Sequence, residues 1–138
     1  AYCERWAPAS AVVRTSLAHG FCLGVSRTVI ETVGVFDEVN FPQGYGEEND
    51  YCFRAMDAGF SCTIAINTFI WHAKSRSYPD AQRRELMETG NTKLRELHGN
   101  ERVIRAIQSM RDEPLLRRMR IEAQALWDER VSQLDTTR

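Results

Sequence analysis

Residues 44 to 54, Gly-Tyr-Gly-Glu-Glu-Asn-Asp-Tyr-Cys-Phe-Arg, place a glycine-rich loop directly before three carboxylates, Glu47, Glu48 and Asp50. Glycines such as Gly46 let the backbone approach a ligand closely, and clustered carboxylates raise one another's pKa toward the range in which a general base works. The same acidic residues would also complement the dipole of a helix that begins here, with no chemistry involved. The stretch therefore predicts a helix whose first turn carries either a general base or simple dipole complementation.

This central helix is predicted to run from about Glu47 to Ala58 and to close at Gly59. Its apolar residues recur at the three- and four-residue spacings of a buried face: Tyr51, Cys52, Ala55 and Met56. Asp50 and Arg54 stand four residues apart, which predicts a solvated ion pair worth about 0.3 to 0.5 kcal/mol. We therefore do not expect Arg54 to take part in catalysis.

The stretches on either side of the central helix predict a small sheet and a second, shorter helix. Residues 11 to 25 are rich in strand formers and predict one strand, or two strands broken by a glycine. Ser26 is a predicted N-cap for a helix over residues 27 to 33. Residues 61 to 71 predict a further strand whose apolar residues, Phe69 among them, are half to fully buried.

From Asp80 onward the pattern predicts helices only. Apolar residues recur with helical spacing, and Asp112-Glu113-Pro114 is typical of a helix start. The sequence thus predicts an α/β fold in two parts. Residues 1 to 79 would hold a small mixed sheet flanked by helices, and residues 80 to 138 an all-helical C-terminal extension that packs or forms an oligomer interface.

Composition narrows the classes of function. The chain has 138 residues, of which 43% are hydrophobic and 27% charged, which is ordinary for a globular protein. A net charge of -1 argues against nucleic acid as a main partner. The four cysteines lack the spacing of a zinc site or a disulfide framework. Without an apolar run that spans a bilayer or a signal peptide, we expect a cytoplasmic protein, free or at the inner face of the membrane.

Three stretches of the chain, taken in order, carry a resemblance to a known family. They are His19 to Glu38 (HGFCLGVSRTVIETVGVFDE), Gly44 to Phe60 (GYGEENDYCFRAMDAGF) and Thr68 to Tyr78 (TFIWHAKSRSY). The order resembles the C-terminal half of an inverting family 2 glycosyltransferase of the GT-A fold. That family has Gly-x-Cys-Leu and Val-Gly-x-Phe-Asp-Glu in the first stretch, Gly-Tyr-Gly-Glu-Asp-x-Asp in the second, and a strand, a histidine and a serine-containing loop in the third. The resemblance implies a partial GT-A-like fold.

The resemblance also implies roles for residues of the glycine-rich loop and the helix that follows. In the family, the carboxylate after the first Glu of the Gly-Glu-Asp segment deprotonates the acceptor hydroxyl, and that position is Glu48 here. This chain carries Glu where the family commonly has Asp, and a misplacement of about 1 Å can lower a rate roughly a hundredfold. Gly46, Glu47 and Asp50 would bind the acceptor or tune the base, with dipole complementation as the alternative for the two carboxylates.

On the donor side, the resemblance implies a diphosphate site with a divalent cation. His72 matches a position from which some relatives ligate the cation, although a lone histidine after a strand is otherwise structural. Lys74, Ser75 and Arg76 form a donor-rich loop suited to a diphosphate or, alternatively, a solvated turn. The Asp-x-Asp that would hold Mg or Mn in the parent enzyme is absent from this sequence. We therefore expect the cation in the parent enzyme rather than in this chain alone.

We expect this chain to be a glycosyltransferase fragment. The parent enzyme would transfer a sugar with inversion from a nucleotide-diphosphate donor to a saccharide acceptor in polysaccharide biosynthesis. The isolated fragment is expected to be inactive, and to self-associate through exposed half-domain surface or the helical tail. The alternative is a non-catalytic binding or oligomerisation module that keeps the same half-fold.

Overall fold

The fold is mixed α/β and mostly helical. A computed structural model describes residues 12 to 70, residue 72 and residues 78 to 135. In chain order, its elements are β1 (Val12–Thr15), α1 (Arg27–Val33), α2 (Glu47–Asp57), β2 (Cys62–Ala65), α3 (Asp80–His98), α4 (Asn100–Asp112) and α5 (Pro114–Asp135). A short 3-10 turn, Gly20–Cys22, lies between β1 and α1. The prediction of an α/β fold followed by a wholly helical stretch is confirmed at this level.

The sheet in the described ranges has two antiparallel strands, β1 and β2, with Val13 opposite Ile64. A mixed sheet was predicted, so this finer expectation is not confirmed, and the GT-A-like assignment stays a prediction. β2 ends at a turn over residues 66 and 67, and the chain beyond it no longer pairs with β1. Phe69 is consequently 72% exposed and Ile70 46% exposed, so the expected burial of these two side chains is wrong.

The ends of α1 and α2 follow the capping signals in the sequence. Ser26 caps α1, its Oγ accepting a hydrogen bond from the backbone N–H of Val29 at 3.4 Å, and Gly34 ends the helix with φ 86°. α2 begins at Glu47, as predicted, and ends at Asp57, with Gly59 closing the turn at φ 86°. These local predictions are confirmed to within a residue.

The core lies where α2 packs against the first part of the chain and against the helical extension. It is formed by Leu17, Phe41, Cys52, Phe53, Leu94, Val103 and Ala106. Phe53 is 0% exposed, although the predicted buried face of α2 passed over it. Its ring lies 4.8 Å from that of His98 in α3, and the guanidinium of Arg102 in α4 covers it at 4.7 Å. α2 is thus covered on more than one side, so that its buried surface is wider than a single amphipathic face.

The helical extension takes part in this core as well as extending away from it. Leu94 of α3 and Val103 of α4 are fully buried. α5 begins at Pro114, and the Glu113 carboxylate accepts a hydrogen bond from the Leu116 N–H at 2.6 Å, which confirms the predicted helix start. Within the ranges that the structure covers, none of the helices combines the length and apolar character that crossing a membrane requires.

Candidate functional site

The glycine-rich loop before α2 has a backbone that most side chains would forbid. Gly44, Tyr45 and Gly46 all have positive φ, at 80°, 63° and 132°. A Cβ atom added at Gly46 would lie 2.8 Å from Cε1 of Phe41, so this position also lacks the space for a side chain. The loop is seated on α3 at Gly90, where an added Cβ would lie 1.6 Å from the Tyr45 carbonyl oxygen. Close packing therefore fixes the position from which α2 begins.

Glu48, in the first turn of α2, lines a cavity of about 100 Å³. The other lining residues are Leu17, Ala18, His19, Asn49, Ile107 and Met110. Gly20 packs tightly on the acid, since a Cβ added there would lie 3.3 Å from the Glu48 Cβ. The volume is below the roughly 300 Å³ at which cavities begin to enclose a whole small-molecule ligand. It suits one end of a larger ligand.

The surroundings of the Glu48 carboxyl shift its proton affinity. Burial raises the pKa of Glu48 above its ordinary value, and the neighbouring negative charge of Glu47 raises it further. Hydrogen bonds from backbone N–H groups and the nearby His19 act in the opposite direction. The net direction is upward, which is the direction that improves a carboxylate as a proton acceptor at neutral pH.

We expect Glu48→Gln to raise the free energy of unfolding at neutral pH. The pKa of Glu48 is raised in the folded state, so keeping this group ionised there disfavours folding once the pH exceeds the pKa of the unfolded chain. Glutamine carries no charge, and the gain should vanish below a pH of about 4, where the unfolded chain also binds the proton. Urea unfolding of both proteins across this pH range measures the difference.

Asp57→Asn is the opposite-sign control for that measurement. The hydrogen bond from Arg102 is the main reason why the pKa of Asp57 lies below its ordinary value. This carboxylate therefore favours folding when ionised, and the variant should lose stability at neutral pH but not at low pH. If Glu48→Gln raised the free energy of unfolding by the same amount at every pH, the assigned environment of Glu48 would be contradicted.

The Glu47 carboxylate turns back onto the loop. Its Oε2 accepts a hydrogen bond from the Gly46 N–H at 3.0 Å, so it satisfies one of the free donors at the start of α2. This geometry favours the capping and dipole alternative for Glu47. Acceptor binding by Glu47 and Gly46 stays a prediction.

Asp50 forms a buried hydrogen-bond network rather than the solvated pair that was predicted. Its side chain contacts Arg54 Nε through Oδ2 and His98 Nε2 through Oδ1, each at 2.8 Å, and the residue is 2% exposed. Arg54 also donates to the carbonyl oxygens of Val33 and Val35, both at 3.0 Å. The prediction failed because α3 brings His98 over α2 and excludes water. With both oxygens engaged, Asp50 is suited to structure, and its role in acceptor binding stays a prediction.

His72 is exposed, and its ring stacks on Phe21 at a centroid distance of 4.7 Å and an interplanar angle of 10°. The His19 ring lies 5.7 Å from that of Phe21. In the part of the chain that the structure describes, no three His, Cys, Asp or Glu side chains converge as a metal site would require. Metal ligation by His72 therefore stays a prediction. The predicted diphosphate loop, Lys74, Ser75 and Arg76, lies outside the described residues.

The cavity walls include residues that sequence reasoning did not select. His19 begins the first motif stretch, and its place directly before the Gly-x-Cys-Leu pattern was a usable signal. Ile107 and Met110 come from α4, in the extension that was assigned only to packing. Their helical spacing looks the same as that of any buried face, so no local pattern could have placed them beside Glu48.

Relatives would provide an independent test of the family resemblance. Comparison of the chain with models of protein families, with curated proteins and with solved structures gives no match. The resemblance to a glycosyltransferase therefore depends on the three quoted stretches of sequence and stays a prediction.

Proposed function

We propose that this chain forms the acceptor side of an inverting glycosyltransferase, with Glu48 as the general base. The observation that carries the proposal is the Glu48 carboxyl itself, held in a cavity of about 100 Å³ where burial raises its pKa. An acceptor alcohol must lose its proton as it attacks, and a carboxylate with a raised pKa takes that proton more readily at neutral pH. The partial GT-A-like fold and the nucleotide-diphosphate donor belong to the same proposal.

In the proposed reaction the acceptor hydroxyl enters the cavity and donates its hydrogen bond to the Glu48 carboxylate. A bond forms between the acceptor oxygen and the anomeric carbon, the proton passes to Glu48, and the bond to the diphosphate breaks with inversion. Apolar side chains of Leu17, Ile107 and Met110 contribute to the cavity wall. The described residues do not converge as a cation site, and no step of the proposal passes through a metal.

Binding of saccharides to this chain tests the acceptor side. A glycan array identifies a ligand, and titration calorimetry then compares the wild-type chain with Glu48→Ala. Loss of one hydrogen bond to a charged group, worth about 1.5 to 3 kcal/mol, should weaken binding tenfold or more. Glu31→Ala, which removes an exposed carboxylate of α1, is the matched control and should leave affinity unchanged. Failure to bind any saccharide, or equal losses in both variants, would contradict the proposal.

The donor arm of the same experiment titrates UDP, dTDP and GDP, each with and without Mn²⁺. Binding that requires Mn²⁺ and is lost in His72→Ala supports His72 as a ligand of the cation that holds the diphosphate. Binding that does not depend on His72 removes this residue from the proposed site. If none of the nucleotides binds, the proposal is limited to an acceptor side, and sugar transfer would need the nucleotide-binding half of the parent enzyme.

A second candidate function, a non-catalytic binding or oligomerisation module, is favoured by the exposed apolar residues of α4 and α5. Outside the Glu48 cavity they are Ile104, Ile121, Leu126 and Trp127. Exposed apolar surface of this kind often marks a protein interface. Such a module would bind its partner equally well with Glu48→Ala, which separates it from the first proposal.

A further inference from the structure

Cys52 and Cys62 are two thiols that lie on different elements and pack in the same part of the core. Cys52 lies on α2 and Cys62 is the first residue of β2. Cys62 packs against the core cluster that contains Cys52. Both line a second cavity, of about 250 Å³, which the site described above does not use.

The two thiols differ in access and in acidity. Cys52 is 2% exposed, and its sulfur accepts a hydrogen bond from the Ala18 N–H at 3.3 Å, whereas Cys62 is half-buried. Donation of a hydrogen bond by Cys52 lowers the pKa of Cys62 to about 7. The same hydrogen bond, together with burial, raises the pKa of Cys52. Cys62 is thus the accessible, more readily ionised partner, which is the character of an attacking thiolate.

We propose that Cys62 is a thiol–disulfide exchange site for a small disulfide of the glutathione class, and that Cys52 resolves the adduct into a disulfide between α2 and β2. The Cys62 thiolate attacks one sulfur of oxidised glutathione, its S–S bond breaks, and one glutathione thiolate leaves. Cys52 then loses its proton to solvent and attacks the Cys62 sulfur, and the second glutathione thiolate leaves. The two cysteines lose two electrons and two protons, and one glutathione disulfide becomes two thiols.

The first step of this sequence prepares the second. Once Cys62 carries glutathione, it is no longer the charged acceptor of the Cys52 hydrogen bond, so the main cause of the raised pKa of Cys52 disappears. The cavity beside both sulfurs gives the incoming disulfide a route to Cys62. A buried second thiol within reach of an accessible one is the arrangement that resolves a mixed disulfide inside one chain.

The test uses a chain in which Cys3 and Cys22 are replaced by Ser, so that Cys52 and Cys62 are its only cysteines. This chain is incubated with increasing ratios of oxidised to reduced glutathione and analysed by intact-mass and peptide mass spectrometry. We expect the loss of two hydrogens and a crosslinked peptide that joins Cys52 to Cys62. In the same background, Cys52→Ser should accumulate one glutathionyl group on Cys62, and Cys62→Ser should gain none on Cys52.

A kinetic measurement keeps the proposal testable if Cys52→Ser folds poorly, which circular dichroism reveals. Alkylation of Cys62 by iodoacetamide in the two-cysteine chain should reach half of its maximal rate near a pH of about 7. Alkylation that rises only at the pH of an ordinary thiol would overturn the assignment. So would an adduct on Cys52 before Cys62, or the absence of the Cys52–Cys62 crosslink at every glutathione ratio.

Discussion

Gly90→Ala is expected to lower the free energy of unfolding by about 3 kcal/mol, although alanine is the better helix former. A Cβ atom at this position would lie 1.6 Å from the Tyr45 carbonyl oxygen and 2.8 Å from the Tyr45 carbonyl carbon. Both are backbone atoms and cannot turn aside as a flexible side chain would. Either α3 or the glycine-rich loop must move, which displaces the start of α2. Urea unfolding followed by circular dichroism measures the loss.

Gly24→Ala is the matched control for this substitution. Among the described residues other than its two chain neighbours, none has an atom within 4 Å of a Cβ added at Gly24, so the variant should stay within about 0.5 kcal/mol of the wild type. Equal stabilities for Gly90→Ala and the wild type would show that the loop does not lie against α3 as described. Displacement of the loop should also move Glu48 and weaken saccharide binding. This loss of affinity can be measured separately from the loss of stability, in conditions where the variant is still folded.

Asp50→Ala should lower the free energy of unfolding by about 3 kcal/mol or more. The Asp50 carboxylate joins Arg54 and His98 at 2.8 Å each, and its removal leaves the largely buried His98 imidazole without this partner, whereas Arg54 keeps its two carbonyl acceptors. An unpaired polar group that is withdrawn from water disfavours folding strongly. Chemical unfolding monitored by circular dichroism provides the measurement.

The surface ion pair between Asp57 and Arg102 supplies the comparison. Its shortest distance, 2.6 Å, is even smaller, but more than half of the Asp57 side chain is exposed, and such pairs contribute about 0 to 1 kcal/mol. Asp57→Ala should therefore have a much smaller effect than Asp50→Ala. If the two variants lost the same stability, burial would not be what makes the Asp50 network important.

Local chemistry made part of this molecule predictable. Ser26 and Gly34 bound α1, and Pro114 begins α5, because each of these features depends on a few neighbouring residues. The start of α2 at Glu47 was predictable for the same reason. Because this helix start was predictable, the position of Glu48 in the first turn of α2, just after the glycine-rich loop, was predictable too.

The parts that were not predictable depend on contacts between distant segments. His98 reaches Asp50 from 48 residues away and converts a surface pair into a buried one. Whether Phe69 is covered depends on what packs against it from elsewhere in the chain, and its apolar character alone could not show that it is exposed. The cavity around Glu48 required α4, whose pattern specifies a buried face but not its neighbour.

Ala18 forms part of the wall of both cavities, the one beside Glu48 and the one beside Cys52 and Cys62. Glu48 and Cys52 are also one helical turn apart on α2. A ligand that shifts this shared wall in one cavity changes the shape that the other cavity offers. Thermodynamic linkage makes such an influence mutual, so that each ligand would alter the affinity of the other by the same factor.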